Sequence, residues 1–166
     1  DTLDALTASA AELNIMDGVT ATAAEINGAV DLSVRTVLVP AGGAAVTLPA
    51  GGGTILIPLV TANVTATLPV ATLGLTYEFI YVGSAADAED WVISCPAATL
   101  FAGGIEHLVT GTADIDPEIA NGSTENTLTI NNPTVGTWVR FIGMGAGTLG
   151  VTGTTYGVNI AVFSAV

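Results

Sequence analysis

The residues able to do chemistry fall in a few short stretches. Asp114, Asp116 and Glu118 alternate around Pro117, while Asp87, Glu89 and Asp90 cluster before Trp91. A hard cation such as Ca²⁺ takes about six to eight oxygens from a folded loop. Neither cluster follows the EF-hand spacing, so both read first as solvated acidic loops, with calcium as the alternative. Paired carboxylates can act as acid and base on a glycoside. Nothing singles out one pair among the 15 acids, and the sequence holds no aromatic-rich platform for a sugar. His107, the one histidine, sits in Ile105-Glu106-His107-Leu108. A Ser–His–Asp site would need a nucleophile elbow, and no G-x-S-x-G occurs. His107 is therefore expected at a strand edge, on the surface or in an interface. Cys95, the one cysteine, lies between Ser94 and Pro96 and reads as a small buried residue at a strand end.

Two further features invite a chemical reading. Gly145-Ala146-Gly147-Thr148-Leu149-Gly150 matches G-x-G-x-x-G after an expected strand. A dinucleotide loop also needs a helix next and an acid about 20 residues later. Here β-formers follow and no acid occurs after Glu125, so the stretch reads as a glycine-rich turn. Arg140 lies mid-strand in Trp138-Val139-Arg140-Phe141. An ion pair with a carboxylate, Glu78 among the candidates, and an outward-pointing side chain fit it about equally well.

Composition narrows the classes. Two basic residues, Arg35 and Arg140, face 15 acidic ones, for a formal charge of −13, and lysine is absent. Phosphate neutralisation takes a stripe of Lys and Arg, so nucleic acid is excluded as a partner, and anionic lipid with it. Without lysine there is no phosphate-loop lysine, Schiff base or Ser–Lys dyad. One cysteine closes no disulfide within the chain and makes no C-x-x-C site, and one cysteine with one histidine is a poor zinc set. No cofactor and no enzymatic activity are expected. Half of the residues are apolar and 10% charged, the reverse of a disordered chain. Mean hydropathy is high at +0.67. Even so, Pro40, Pro49, Pro58 and Pro69 interrupt the first uncharged stretch and glycines the second, so neither supplies a spanning helix. No membrane partner and no signal peptide are expected. The chain reads as soluble, with an apolar surface that neighbours cover.

The elements that must position these residues divide at about residue 32. Residues 1–32 read as an N-terminal arm with a thirteen-residue repeat, in which Thr7–Asn14 lines up with Thr20–Asn27. Ser9 with Glu12, and Thr22 with Glu25, can each form a capping box that starts a short helix. Leu13, Met16 and Ile26 would then lie on one side. Helices this short are not stable alone, so Glu12, Leu13, Met16, Glu25 and Ile26 are the candidate partner-interface residues. Residues 33–166 read as an all-β domain of β-sandwich or barrel type, jelly-roll-like. The expected strands are Val34–Val39, Val46–Leu48, Ile55–Val60, Thr61–Leu68, Leu75–Val82, Trp91–Ser94, Thr127–Ile130, Thr137–Ile142, Leu149–Thr152 and Tyr156–Phe163. Few aromatics are present, so the core is expected to be mainly Val, Ile, Leu and Ala.

The repeat also carries a resemblance. Ala10-Ala11-Glu12-Leu13-Asn14-Ile15-Met16-Asp17-Gly18-Val19-Thr20, followed by Ala23-Ala24-Glu25-Ile26-Asn27, resembles repeats found in virion proteins of tailed bacteriophages, both tail fibres and head-associated proteins. Val46–Pro49, Gly74–Ile80, Asp90–Ile93, Leu100–Gly104 and Gly136–Arg140 are similar to stretches of a β-domain in such proteins. Gly143–Val151 departs from the pattern, lacking the Asp and Trp with which relatives often close the domain. The resemblance implies a structural role in the virion. At 166 residues the chain suits one β-domain with one short arm. That shape fits a decoration (cement) protein on the outer surface of the capsid, typically a homotrimer bound to the major capsid protein. A tail-fibre or spike module that binds the host surface is the alternative.

Overall fold

The computed structural model describes residues 22, 26, 36–49, 51–109, 115–157 and 161–165. The chain divides into two units, 1–31 and Leu32–Val166. Of the first, Ile26 is helical and its N–H donates to the Thr22 carbonyl at 3.0 Å, one α-helical turn bond. Glu12, Leu13, Met16 and Glu25 lie outside the described residues.

The second unit is an all-β sandwich. Its strands are β1 (Thr36–Leu38), β2 (Ala45–Val46), β3 (Gly53–Ile57), β4 (Val64–Thr67), β5 (Thr76–Tyr81), β6 (Trp91–Ser94), β7 (Leu100–Val109), β8 (Ile115–Asn121), β9 (Thr127–Ile130), β10 (Trp138–Gly145), β11 (Thr148–Gly157) and β12 (Val162–Ser164). A seven-stranded sheet runs in the order β1-β3-β5-β10-β11-β7-β8, and a five-stranded sheet in the order β12-β9-β6-β4-β2. Among the described residues no helix is long and apolar enough to cross a membrane.

Strands β1 to β6 alternate between the two sheets, so each turn of chain adds one strand to each. β1, β3 and β5 pair in parallel on one side, and β2, β4 and β6 on the other. Parallel neighbours need a long crossover, commonly a helix; here the crossover is a strand of the opposite sheet. Pro40, Pro49, Pro58 and Pro69 each follow a strand of this winding. Proline has no N–H to extend a ladder, so it ends the strand where the chain must turn. Successive corners stack tightly. Thr61 N–H bonds the Ala41 carbonyl at 2.9 Å, and Gly43 (φ 65°) lies so close to Ala62 that a Cβ would sit 2.0 Å from its carbonyl oxygen. The winding makes the sandwich half parallel, where a jelly roll pairs antiparallel. The second half is mainly antiparallel: β7–β8, β10–β11, β5–β10, β6–β9 and β9–β12, with β7–β11 parallel.

Period-two alternation builds the core. Tyr77, Phe79 and Tyr81 of β5, Val139 and Phe141 of β10, and Val64, Ala66 and Leu68 in and after β4 all point inward. Aliphatic side chains supply most of the core, as the composition implies, and aromatic contacts join its layers. Phe141 meets Phe79 edge to face at 5.8 Å and Phe101 at 5.1 Å, while Tyr81 meets Trp91 of the other sheet at 6.1 Å. Such pairs each add about 1 kcal/mol beyond area burial.

Two strands exceed the sequence reading. β7 runs through Gly103-Gly104, and β8 contains Pro117. β8 is the sheet's last strand, and an edge is where proline is tolerated because no further strand needs its N–H.

Candidate interaction face

Several of the residues marked by the sequence as chemically suggestive make hydrogen bonds that hold the fold together. His107 is 1% exposed, in β7 between β11 and β8, so it is a core residue and not an edge or surface one. Its Nδ1 pairs with Thr155 Oγ1 at 2.8 Å, and its buried Nε2 has no hydrogen-bond partner among the described residues. The signal was parity, since His107 shares a face with Phe101 and Ile105. Cys95 is buried just after β6, as expected, and its thiol donates to the Thr99 carbonyl at 3.0 Å. Burial pushes this thiol up to about 11, so at neutral pH it is no thiolate nucleophile.

The cluster of Asp87, Glu89 and Asp90 is only partly solvated, with Glu89 and Asp90 half-buried and Ala88 exposed. Asp87 is buried, and its carboxylate accepts from Val60 N–H at 3.1 Å and Glu89 N–H at 3.3 Å. Asp90 accepts from Asn132 N–H at 3.1 Å. These bonds tie the β5–β6 loop to the neighbouring corners. Tyr81 donates to the Ala85 carbonyl at 2.6 Å in the same loop, and burial, with Asp87 adding to it, raises its phenol. In the second cluster, Asp116 and Glu118 belong to β8, opposite His107 and Ile105; Asp114 lies outside the described residues. Among the described residues no group of three or more His, Cys, Asp or Glu could hold a metal ion. Gly145–Gly150 is the β10–β11 hairpin, as the turn reading has it. Gly145 (φ 78°), Ala146 (φ 52°) and Gly147 (φ 75°) all have positive φ, and Ala146 and Gly147 are the two central residues of the turn, as a type I′ turn requires.

Arg140 and Glu78 do meet. They are direct cross-strand partners on β10 and β5, with Arg140 Nη2 donating to Glu78 Oε1 at 2.7 Å and Nε donating to the same oxygen at 3.2 Å. The guanidinium also lies 5.9 Å from the Trp138 ring centroid. With side chains 45% and 24% exposed, water screens the pair, which contributes no more than about 1 kcal/mol. Its importance is local neutrality.

That pair sits on the outer face of the seven-stranded sheet, the surface most unlike an ordinary exterior. The residues alternating with the core ones form an apolar row across four strands: Leu38, Leu56, Ile80 and Trp138. Further along β10 come Ile142, 37% exposed, and Met144, 58% exposed, and on β8 Ile115 and Ile119, the latter 70% exposed. Between the two lies a floor of small residues on β11 and β7, including Gly150, Thr152, Ala102 and Gly104. Two hollows of about 390 and 420 Å³ share Thr152 on this floor. The first is walled by Trp138, Pro117 and Ile119, the second by Ile142 and Met144.

The outer face of the five-stranded sheet contrasts with it. Thr67, Ser94, Thr127 and Ser164 align across it in register, Thr127 itself buried, beside Thr65, Val92, Thr129 and Val162, and none of these is charged. One face is apolar and the other hydroxylated. An apolar exterior of this extent marks an interaction site; Arg140 and Glu78 compensate each other there, and the exposed Glu106 carboxylate lines the first hollow.

No family model matches the chain, and no curated protein and no solved structure matches it either. Fold and face together define a class: a two-sheet β-sandwich with one apolar and one hydroxylated exterior.

Proposed function

We propose that the chain is a non-enzymatic structural protein of a tailed bacteriophage, a decoration (cement) protein on the outer surface of the capsid, bound as a homotrimer to the major capsid protein. The observation that carries the reading is the apolar outer face of the seven-stranded sheet, on which Arg140 is compensated by Glu78. Such a face is stable in water only when assembly covers it. The similarity of the N-terminal repeat and of several strand motifs to virion proteins supports the phage setting. The role calls for no cofactor, nucleic acid or membrane. An excess of carboxylates with no lysine suits an exterior that must stay soluble and avoid packaged DNA.

The mechanism is mass action. A protein that binds the assembled shell and not its separated subunits stabilises the shell by RT ln(1 + [L]/Kd), about 2.7 kcal/mol per site at a hundredfold excess over Kd. The test uses capsid shells of the encoding phage that lack this protein. Purified protein is expected to cosediment with them, saturate at a fixed ratio to the major capsid protein and raise their disruption temperature. Protein that leaves the shells unbound and binds host cells instead would overturn the capsid reading in favour of the tail-fibre or spike alternative.

A further inference from the structure

We infer that the outer face of the seven-stranded sheet is covered by a different protein, whose contact surface is apolar and carries one basic side chain, lysine or arginine, that seats between Trp138 and Glu106. This deepens the assembly reading above and rests on it for the premise that the face is covered. The copies of a homotrimer then meet through other surfaces.

Three observations specify the occupant. The first is the placement of one carboxylate. Trp138 on β10, Thr154 on β11, Glu106 on β7 and Pro117 on β8 form one row in register across the sheet. With strands about 4.8 Å apart, the backbones of Trp138 and Glu106 stand roughly 10 Å from each other, with Thr154 as the floor between them. Glu106 is exposed, and the hollow of about 390 Å³ that it lines is also walled by Trp138 and Ile119. Gly104, next to Glu106 on the same face, has no side chain to fill it.

The second is charge. Among the described residues of this face Arg140 is paired with Glu78, which leaves Glu106 as the uncompensated charge. A purely apolar surface laid over it would strip water from a carboxylate and return no bond, an unfavourable exchange. An ammonium or guanidinium group restores the balance. It donates to the carboxylate, it is attracted to an indole ring, and its methylene stem packs on the apolar wall. The third is supply. This chain has no lysine and two arginines, Arg35 and Arg140, of which Arg140 is held by Glu78. At −13, a second copy brings carboxylates far more readily than cations, so a different protein is the better source. The adjoining hollow of about 420 Å³, between Ile142, Met144 and Ala102, has no charged residue in its lining and takes an apolar side chain of the same partner.

The test is cosedimentation of the full chain with the capsid shells described above and, separately, with host cells. On whichever surface binds the wild type, Glu106→Gln is expected to weaken binding about thirtyfold or more, the effect of leaving one member of a buried charged pair alone. Glu106→Lys sets like charges against each other and is expected to abolish binding where the wild type saturates. Glu89→Gln removes the same charge from the β5–β6 loop and is expected to change binding less than about threefold. A wholly apolar partner surface predicts the opposite sign, because Glu106→Gln then removes a buried charge and tightens binding. Binding unchanged or tightened by Glu106→Gln therefore overturns the inference. Carboxylate footprinting of the wild type with carbodiimide and glycine ethyl ester needs no variant to fold. Labelling of Glu106 is expected to fall severalfold on binding while that of Glu89 holds. Glu106 labelled equally in free and bound protein overturns the inference, as does its protection in the concentrated protein alone, which makes the occupant a second copy. Shell binding that survives Glu106→Gln removes this inference and leaves the capsid reading. Binding to cells alone that Glu106→Gln weakens does the reverse, and binding to neither surface overturns both.

Discussion

Replacing Gly143 by alanine sets strand propensity against the packing of the fold, and the two predict opposite signs. A glycine inside a strand is less stable than alanine by roughly 0.5–1 kcal/mol, so propensity alone predicts a gain. In the structure, a Cβ at Gly143 would lie 1.8 Å from the Thr72 carbonyl oxygen and 2.7 Å from its carbon. The loop before β5 would have to retreat by about 1.5 Å to restore ordinary contact. It is held in place by Gly74 N–H on the Gly143 carbonyl at 2.8 Å, Gly143 N–H on the Leu75 carbonyl at 2.8 Å, and Leu75 N–H on the Thr72 carbonyl at 3.0 Å. Breaking two of these costs about 1 kcal/mol each, and forced backbone shifts cost about 1–3 kcal/mol more. After the propensity gain, Gly143→Ala should destabilise the domain by about 3 kcal/mol. With a urea slope near 2 kcal/mol/M, the unfolding midpoint should fall by about 1.5 M. Fluorescence of the fully buried Trp91 reports the transition. Gly42→Ala is the internal control: nothing lies within 4 Å of its Cβ position, so its midpoint should hold or rise slightly. A Gly143→Ala midpoint equal to or above that of Gly42→Ala would refute the close packing of the loop on β10.

Three other predictions test separate features. Ala146 is the first of the two central turn residues and has φ 52°, so Ala146→Asn should stabilise by about 0.5–1 kcal/mol, read as a raised urea midpoint. Asp87→Ala leaves the Val60 N–H without its carboxylate acceptor. It should cost about 2 kcal/mol, roughly 6 °C in Tm by calorimetry, with Asp87→Asn milder because it keeps an oxygen acceptor. The Cys95 thiol titrates at about 11 in the folded chain against an ordinary 9.0, so the folded state holds its proton more tightly. Its contribution is complete below pH 9.0 and is lost as pH rises towards 11. Tyr77 and Tyr81, raised by burial, act in the same direction above 10.0. Urea midpoints across this alkaline range should fall less steeply for Cys95→Ala than for the wild type, and equal slopes would contradict the burial argument.

Much of the sandwich was legible along the chain because alternation is a local signal. Trp91–Ser94 and Thr127–Ile130 are strands within the limits their β-branched and aromatic residues suggest. The prolines at 40, 49, 58 and 69 mark the corners of the winding. Which strands become neighbours is a non-local matter, so the parallel pairing of β1–β3–β5 had no local signature. β7 and β8 were hidden by Gly103-Gly104 and Pro117, residues that end strands in isolation but are accommodated beside β11 and at the sheet edge. The interaction face escaped notice for a related reason. β5 and β10 are apolar on both sides, as Phe79 with Ile80 and Phe141 with Ile142 show, and period two alone does not tell core from exterior when both are apolar. Of the arm residues named as an interface, only Ile26 falls among those described, half-buried in its helical turn.

The central claim is that this is an assembly protein of the virion surface, and antibody–gold labelling of intact particles of the encoding phage, viewed by electron microscopy, tests it most directly. The account predicts label spread over the head in many copies. Label confined to the tail, or none on intact particles, would contradict it.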